Sequence, residues 1–208
     1  MLDKKLVIVG GGYVGIELAK ALEYIMNVTL IEPREAFVHA PAMIRALVEP
    51  SILENALMPY DKLLSRGLII EDRVTSIDDT GVTLSGGDRL DADYIVVATG
   101  SSNGAVFKPK GSDIEAFRAA HREIHEKLQA ANTVAIVGAG AVGTELAGEV
   151  AYAMPDKKVI LISSQASLFP DLPPKLGVLL AKKLRSSGVT LILNARAENL
   201  QSLVRPYA

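Results

Sequence analysis

Short apolar runs closed by glycine or a charged residue alternate along the chain with longer stretches in which apolar positions recur every three or four residues. Runs without polar alternation belong to strands buried on both faces of a sheet, and the periodic stretches to helices that lean one face on it. A strand is predicted over 6–9, a helix over about 14–25 and a strand over 28–32, which is half of a parallel doubly wound sheet. Over 41–66 the helix-like stretches are interrupted at Pro41, Pro50 and Pro59, predicting two or three short helices. Strand-like runs at 68–70, 73–77 and 82–84, with turns at 78–81 and 85–88, predict an antiparallel meander inserted into the parallel fold. The run at 94–97 reads as a central strand, broken by Thr99 and Gly100. Ser112 with Glu115 three positions on fits a capping box. Ile114, Phe117, His121, Ile124 and Leu128 then share one face of a helix over 113–130. From 133 the opening pattern returns, with strands over 133–137, 158–163 and 189–193. A helix after Pro173 and Pro174 sets Leu176, Leu179, Leu180 and Leu184 on one face and stops at Gly188. The fold class is α/β: two βαβ units in tandem, over 1–108 and 109–208, the first carrying the meander.

The register of the repeat gives it chemical meaning. Val7-Ile8-Val9-Gly10-Gly11-Gly12-Tyr13-Val14-Gly15 returns as Ala135-Ile136-Val137-Gly138-Ala139-Gly140-Ala141-Val142-Gly143, and Gly10, Gly12, Gly15, Glu17, Leu18 and Ala19 each reappear 128 positions on, as Gly138 through Ala147. Each glycine turn joins an apolar strand to a helix, the setting in which this spacing binds a dinucleotide. The first glycine permits the tight bend, the second lets the backbone approach a pyrophosphate, and the third lets helix and strand pack closely. Unpaired amides at the positive end of the helix then hold the phosphates. Two Rossmann-like units and two dinucleotides are therefore expected. Glu32 stands 22 positions after Gly10, near the spacing of about 20 at which an acidic side chain accepts hydrogen bonds from the adenosine ribose. The other reading of Glu32 is a solvated glutamate at a strand end.

Composition narrows the function classes. At 208 residues with 49% apolar content the chain suits one large domain or two of about 100 residues. A net charge of −2 with no long run of lysine and arginine gives no electrostatic footprint for nucleic acid. No apolar run approaches the roughly 18 residues that span a bilayer, and Glu17 and the glycine turn argue against a signal peptide behind Lys4 and Lys5. A cytoplasmic setting is expected. The 208 residues contain no cysteine, so they offer no thiol relay, iron-sulfur ligand set or structural zinc site. His121 and His125 are spaced as metal ligands on a helix can be, but Arg122 follows the first where a zincin carries glutamate, and a packed or solvated face is expected. Met43, Met58 and Met154 read as gap-filling core residues.

With both turns, Glu32 and Val97-Ala98-Thr99-Gly100 in place, the chain resembles the two-dinucleotide-binding flavoprotein superfamily over essentially its whole length. The stretches from Glu35-Ala36-Phe37-Val38-His39 to Arg45, and Leu161-Ile162-Ser163-Ser164-Gln165, look like its apoptosis-inducing-factor-like and type II NADH dehydrogenase-like branch, in particular the ferroptosis-suppressor-type NAD(P)H:quinone oxidoreductases. The resemblance implies FAD on the first unit and NADH or NADPH on the second. It implies that Gly10, Gly12, Tyr13, Val14 and Gly15 hold the FAD pyrophosphate, that Glu32 and Pro33 meet the ribose end, and that Val74, Ala98, Thr99 and Gly100 line the cofactor. Arg45 would approach the flavin nucleotide's phosphates, while His39 lies near the flavin or is an ordinary loop histidine. Gly138, Gly140, Ala141, Val142 and Gly143 would hold the nicotinamide cofactor, with Ser163 at its ribose end. Glu145 would stand near the nicotinamide as the catalytic candidate, or stabilise the first helical turn by roughly 0.3–1 kcal/mol.

In such an enzyme hydride passes from nicotinamide to flavin, and without a thiol relay the electrons go directly to a small-molecule acceptor, a quinone being the first choice. A peripheral membrane contact and a homodimer stay open. Two departures from the pattern are visible. Ser163 takes the place of Glu32 when 28–31 is laid on 159–162, with no arginine beside it in sequence. A charged hydrogen bond is worth roughly 1.5–3 kcal/mol, so preference for NADH over NADPH is expected to relax by about 10- to 100-fold. The sequence also stops before the segment by which relatives return to the FAD domain, which predicts a C-terminally incomplete chain or a short form with an open flavin site. The alternatives are a reductase for an iron-sulfur protein and a non-catalytic nucleotide-binding fragment.

Overall fold

The computed structural model describes residues 3–101 and 107–198. These residues form two compact units. One runs to Met43 and resumes over Ser51–His121, and the other combines Ile44–Pro50 with the chain from Arg122 onward. The helix Ile114–Ala130 is thus shared between the two units, and the short segment Ile44–Pro50 belongs with the second.

In the first unit β1 (Lys5–Val9), α1 (Tyr13–Leu22) and β2 (Asn27–Ile31) follow the opening pattern. After β3 (Ala36–Val38), α2 (Ala40–Ala46), α3 (Ser51–Asn55) and β4 (Leu57–Pro59) come β5 (Leu68–Ile70), β6 (Val74–Asp78), β7 (Gly81–Leu84), β8 (Arg89–Asp91) and β9 (Tyr94–Val97). A parallel sheet runs β5-β2-β1-β9, β6-β7-β8 form an antiparallel meander, and β3 pairs with β4. The dry run at 6–9 has a plain cause. Leu6 and Ile8 pack with Ala19 of α1, Val28 and Leu30, while Val7 and Val9 pack with Ile31, Val82 and Leu84 of the meander. Covered on both sides, each such side chain contributes about 1.5–3 kcal/mol and no position of the run can be polar.

Several local expectations are corrected here. The strand at 68–70 pairs with β2 in parallel and is not part of the meander. The third meander strand is instead β8, where Leu90 alone is apolar between Arg89 and Asp91. The strand at 94–97 is not central: among the described residues it pairs with β1 alone, and Tyr94 and Val97 are more than half exposed. Pro41 does not break a helix but lies in the first turn of α2, where a missing amide hydrogen is harmless. Met43 and Met154 are buried as expected, whereas Met58 on β4 is exposed.

The second unit takes the C-terminal part of α4 (Ile114–Ala130), then β10 (Thr133–Val137), α5 (Ala141–Ala153), β11 (Lys158–Ile162), α6 (Pro174–Ser186) and β12 (Thr190–Ile192), with a parallel order β10-β11-β12. Asp113, not Ser112, caps α4: its carboxylate accepts from the Ala116 amide at 2.8 Å. The core joins Ile136, Ala147, Val150, Val159, Leu161, Ala181 and Leu184, with Val48 from the 44–50 segment. On α6 the buried residues are Gly177, Ala181 and Leu184, and Leu176 and Leu179 are exposed. Helix α6 is rotated from the leucine stripe because a Cβ at Gly177 would strike the Leu168 carbonyl, so loop and helix meet there without a side chain between them.

Candidate functional site

Both glycine turns leave their sheets in the same way. The Gly10 amide donates to the Ile31 carbonyl at 2.8 Å and the Gly138 amide to the Ile162 carbonyl at 2.9 Å, so each turn stays tied to the end of the second strand while it bends toward its helix. Gly10 (φ +109°) and Gly138 (φ +104°) take backbone angles that L side chains rarely adopt. A Cβ at Gly15 would run into the Gly10 carbonyl oxygen, and one at Gly143 into that of Gly138. The third glycine is thus required by packing in both copies. Gly12 and Gly140 cap α1 and α5 from extended backbone without a side-chain hydrogen bond, and a Cβ on either would meet nothing within 4 Å. Each helix start therefore presents uncapped amides beside open space, which suits a diphosphate.

In the first unit the structure gathers most of the expected residues. Gly10, Gly12, Tyr13, Val14, Glu32, Ala98, Thr99 and Gly100 line one groove of about 590 Å³. A smaller groove of about 260 Å³ brings Pro33 and Val74 beside Gly10, Glu32 and Thr99. Gly15 lies buried behind the turn. Arg45 is not among the residues that line these grooves and is grouped with the second unit. Its guanidinium pairs with Glu49 at 3.0 Å and reaches Glu149 at 4.0 Å, because its stretch of chain packs with the second unit's core through Val48.

Glu32 is not a solvated strand-end glutamate. It is 2% exposed, and its carboxylate accepts from the Gly11 amide at 2.7 Å and from Arg34 at 2.6 Å through Nε and 3.1 Å through Nη2. The bidentate pair holds the Arg34 guanidinium above its ordinary pKa. The Tyr60 hydroxyl donates to the Gly11 carbonyl at 2.6 Å, and burial together with the neighbouring Glu32 charge pushes its phenol well up. A carboxylate fixed at this corner can accept from ribose hydroxyls, while Arg34, Arg73, Lys108 and Lys110 supply positive charge along the two grooves. Sequence reasoning missed these four cations and Tyr60. Arg34 was within reach, two positions from Glu32, but the others come from remote segments. Tyr13 shares a hydrogen bond with Nδ1 of His39 at 2.9 Å and meets Phe37 edge-on at 4.9 Å, so His39, in the loop between β3 and α2, is tied to a residue that lines the groove.

The second unit repeats the corner with different chemistry. The Ser163 amide donates to the Ile192 carbonyl at 2.8 Å as the Glu32 amide does to the Ile70 carbonyl at 3.0 Å, so Ser163 and Glu32 are equivalent in space as well as in alignment. The Ser163 hydroxyl accepts from the Gln165 amide at 3.1 Å where the Glu32 carboxylate accepts from the Arg34 amide at 3.2 Å. Ala141, Val142 and Glu145 are exposed on the first turns of α5. The histidine pair is structural: His125 Nδ1 bonds the Leu47 carbonyl at 2.7 Å, and His121 is buried against Phe117. No group of three or more metal-binding side chains occurs among the described residues.

Comparison with known proteins agrees with this geometry. Two family profiles, both described as pyridine nucleotide-disulphide oxidoreductase, match residues 61–204 and 5–57. Apoptosis-inducing factor homolog B of Dictyostelium discoideum is 36% identical over 93% of this chain and 52% of its own length, and ferroptosis suppressor protein 1 of Homo sapiens is 30% identical over 95% and 54%. The chain spans about half the length of the curated relatives it matches. Among solved structures, the sulfide:quinone oxidoreductase of Aquifex aeolicus superposes with a TM-score of 0.73 at 21% identity, covering 92% of this chain and 51% of that one. Putidaredoxin reductase in its covalent complex with putidaredoxin gives 0.72 at 20%, covering 94% and 51%.

Proposed function

The chain belongs to the pyridine nucleotide-disulphide oxidoreductase family, and from that premise we propose that it binds FAD on its first unit and NADH or NADPH on its second, as an FAD-dependent oxidoreductase with a quinone-like acceptor. The observation that carries this reading is the duplicated anchoring of the glycine turns: the bonds Gly10 to Ile31 and Gly138 to Ile162 build the same cradle twice. The first cradle fits a flavin nucleotide's diphosphate. It has open space at Gly12, a buried carboxylate at Glu32 for the ribose, and a groove of about 590 Å³ that Ala98, Thr99 and Gly100 also line. FAD, when bound, supplies the chemistry of accepting a hydride and releasing electrons to the acceptor.

The protein's own part is binding and orientation. Gly12 and the start of α1 offer amides to phosphate, Glu32 orients the ribose, and the paired Arg34 holds that carboxylate in place. On the second unit Gly140 and the start of α5 do the same for the nicotinamide nucleotide, and Glu145 stands exposed one turn along. Because these 208 residues contain no cysteine, no thiol relay can be formed from them, which supports direct transfer to a small acceptor despite the family's name. Anaerobic reduction of the FAD-loaded chain by NADH or NADPH, followed by mixing with a soluble quinone or with an iron-sulfur ferredoxin, tests the reading. Bleaching of the flavin and recovery by the quinone alone is the expected result. Recovery only by ferredoxin overturns the acceptor assignment, and failure to bleach overturns the activity of this chain.

A further inference from the structure

In each unit one buried hydroxyl is directed at the same backbone atom. The Tyr60 hydroxyl donates to the Gly11 carbonyl at 2.6 Å, and the Thr144 hydroxyl to the Ala139 carbonyl at 3.3 Å. Ala139 stands 128 positions after Gly11, so both carbonyls lie between the first and second glycines of their turns. The donors do not correspond. Position 144 answers to Ile16, which is apolar and buried, and the first unit draws its hydroxyl instead from the short 3₁₀ helix Tyr60–Lys62. Tyr60 and Thr144 are both buried. Two unrelated positions thus supply one and the same bond.

Across a planar trans peptide the carbonyl of one residue and the amide of the next point in opposite directions. A buried hydroxyl that holds the Gly11 carbonyl therefore turns the Gly12 amide away from itself, and the bond to Ala139 does the same for Gly140. Among the described residues neither glycine amide donates to a protein acceptor, and each stands at a helix start beside open space. The Gly11 residue is held on its other side as well, since its amide donates to Glu32 at 2.7 Å. A Cβ there would lie 2.7 Å from the Tyr60 hydroxyl, which accounts for glycine at 11 where the second unit carries Ala139. Resting on the reading of both turns as diphosphate cradles, we infer that Tyr60 and Thr144 are positioning residues. Each fixes one peptide so that the amide following it aims at a diphosphate, that of FAD in the first unit and that of the nicotinamide nucleotide in the second. The shorter bond makes Tyr60 the stronger of the two locks.

The test compares Tyr60→Phe and Thr144→Val, which remove a hydroxyl and keep the bulk, with Thr144→Ser, which returns it. FAD affinity is read by fluorescence titration of the apo chain, and NAD+ or NADP+ affinity by calorimetry of the FAD-saturated chain. Phosphorus NMR of each bound nucleotide at saturation reports the surroundings of its diphosphate, which a brace remote from the phosphates would not alter. Tyr60→Phe is expected to weaken FAD about 3- to 10-fold, the range of one neutral hydrogen bond, and to move the phosphorus resonances of FAD while the other nucleotide stays within about twofold. Thr144→Val is expected to do the converse, by about 2- to 5-fold for its longer bond, with Thr144→Ser restoring affinity and resonances together. Circular dichroism confirms that each variant folds. Weakened binding with unmoved phosphorus resonances makes the hydroxyl a structural brace and overturns the inference for that unit, as does full affinity without the hydroxyl. Either result leaves the cradles standing. Failure of the wild-type chain to bind FAD or either nicotinamide nucleotide, or binding indifferent to Gly15→Ala and Gly143→Ala, overturns the underlying reading instead.

Discussion

Replacing Glu32 with Gln keeps the side chain's shape and removes the charge shared by the Gly11 amide and Arg34. The carboxylate is 2% exposed and the Arg34 side chain 26%, so solvent cannot fully replace the lost partner. A hydrogen bond to a charged group is worth roughly 1.5–3 kcal/mol, and on that scale the substitution costs about 2 kcal/mol of stability. For a chain near 200 residues about 1 kcal/mol moves the midpoint by roughly 2–4 °C, so thermal unfolding followed by circular dichroism should show a fall of about 4–8 °C. Loss of the ribose acceptor should lower FAD affinity by about 10- to 100-fold, read by fluorescence titration. Arg34→Gln leaves the carboxylate in place, and the double variant should cost less than the two single ones together, since both report one pair. An unchanged midpoint would show that the pair is not a structural brace. A lowered midpoint with unaltered FAD affinity would show a brace that never meets the ribose, refuting the role given to Glu32.

Other outcomes follow from the same structure. Gly143→Ala, whose methyl would meet the Gly138 carbonyl, should remove NAD(P)H binding while FAD binding survives, and Gly15→Ala should do the reverse; parallel titrations of each variant check this. Glu23 accepts from the amides of Arg66 and Ser65 at 2.7 Å and of Gly67 at 3.3 Å, and these bonds, Arg66's foremost, hold its carboxyl below the ordinary value of 4.5. A depressed folded-state pKa gives stability that is complete above the ordinary value and disappears as pH falls through the depressed one. Glu23→Gln should therefore lower the unfolding midpoint at neutral pH and flatten the acid side of the stability profile. Asp113→Ala should cost about 1 kcal/mol by chemical denaturation, because it deletes the cap on α4, whereas Ser112→Ala should cost little.

The parallel strands, both glycine turns and the equivalence of Glu32 with Ser163 were legible because each rests on local rules: unbroken apolar runs, glycine spacing and strand-end position. What escaped was set by remote partners. The strand at 68–70 looks like its antiparallel neighbours until its ladder with β2 is known, and Leu176 and Leu179 make a convincing stripe until the close approach of Leu168 at Gly177 rotates the helix. Arg45 carries no local sign that its segment packs with the second unit, and Tyr60, Arg73, Lys108 and Lys110 reach the first unit's site from loops and turns with no periodic signature.

Two separate diphosphate cradles on one short chain are the core of this account, and titrating NADPH into the chain already saturated with FAD probes them most directly. The prediction is one further equivalent bound without displacement of FAD, lost on Gly143→Ala and kept on Glu32→Gln. Displacement of FAD by NADPH, or an added equivalent indifferent to Gly143, would mean that the repeated turn does not build two working sites.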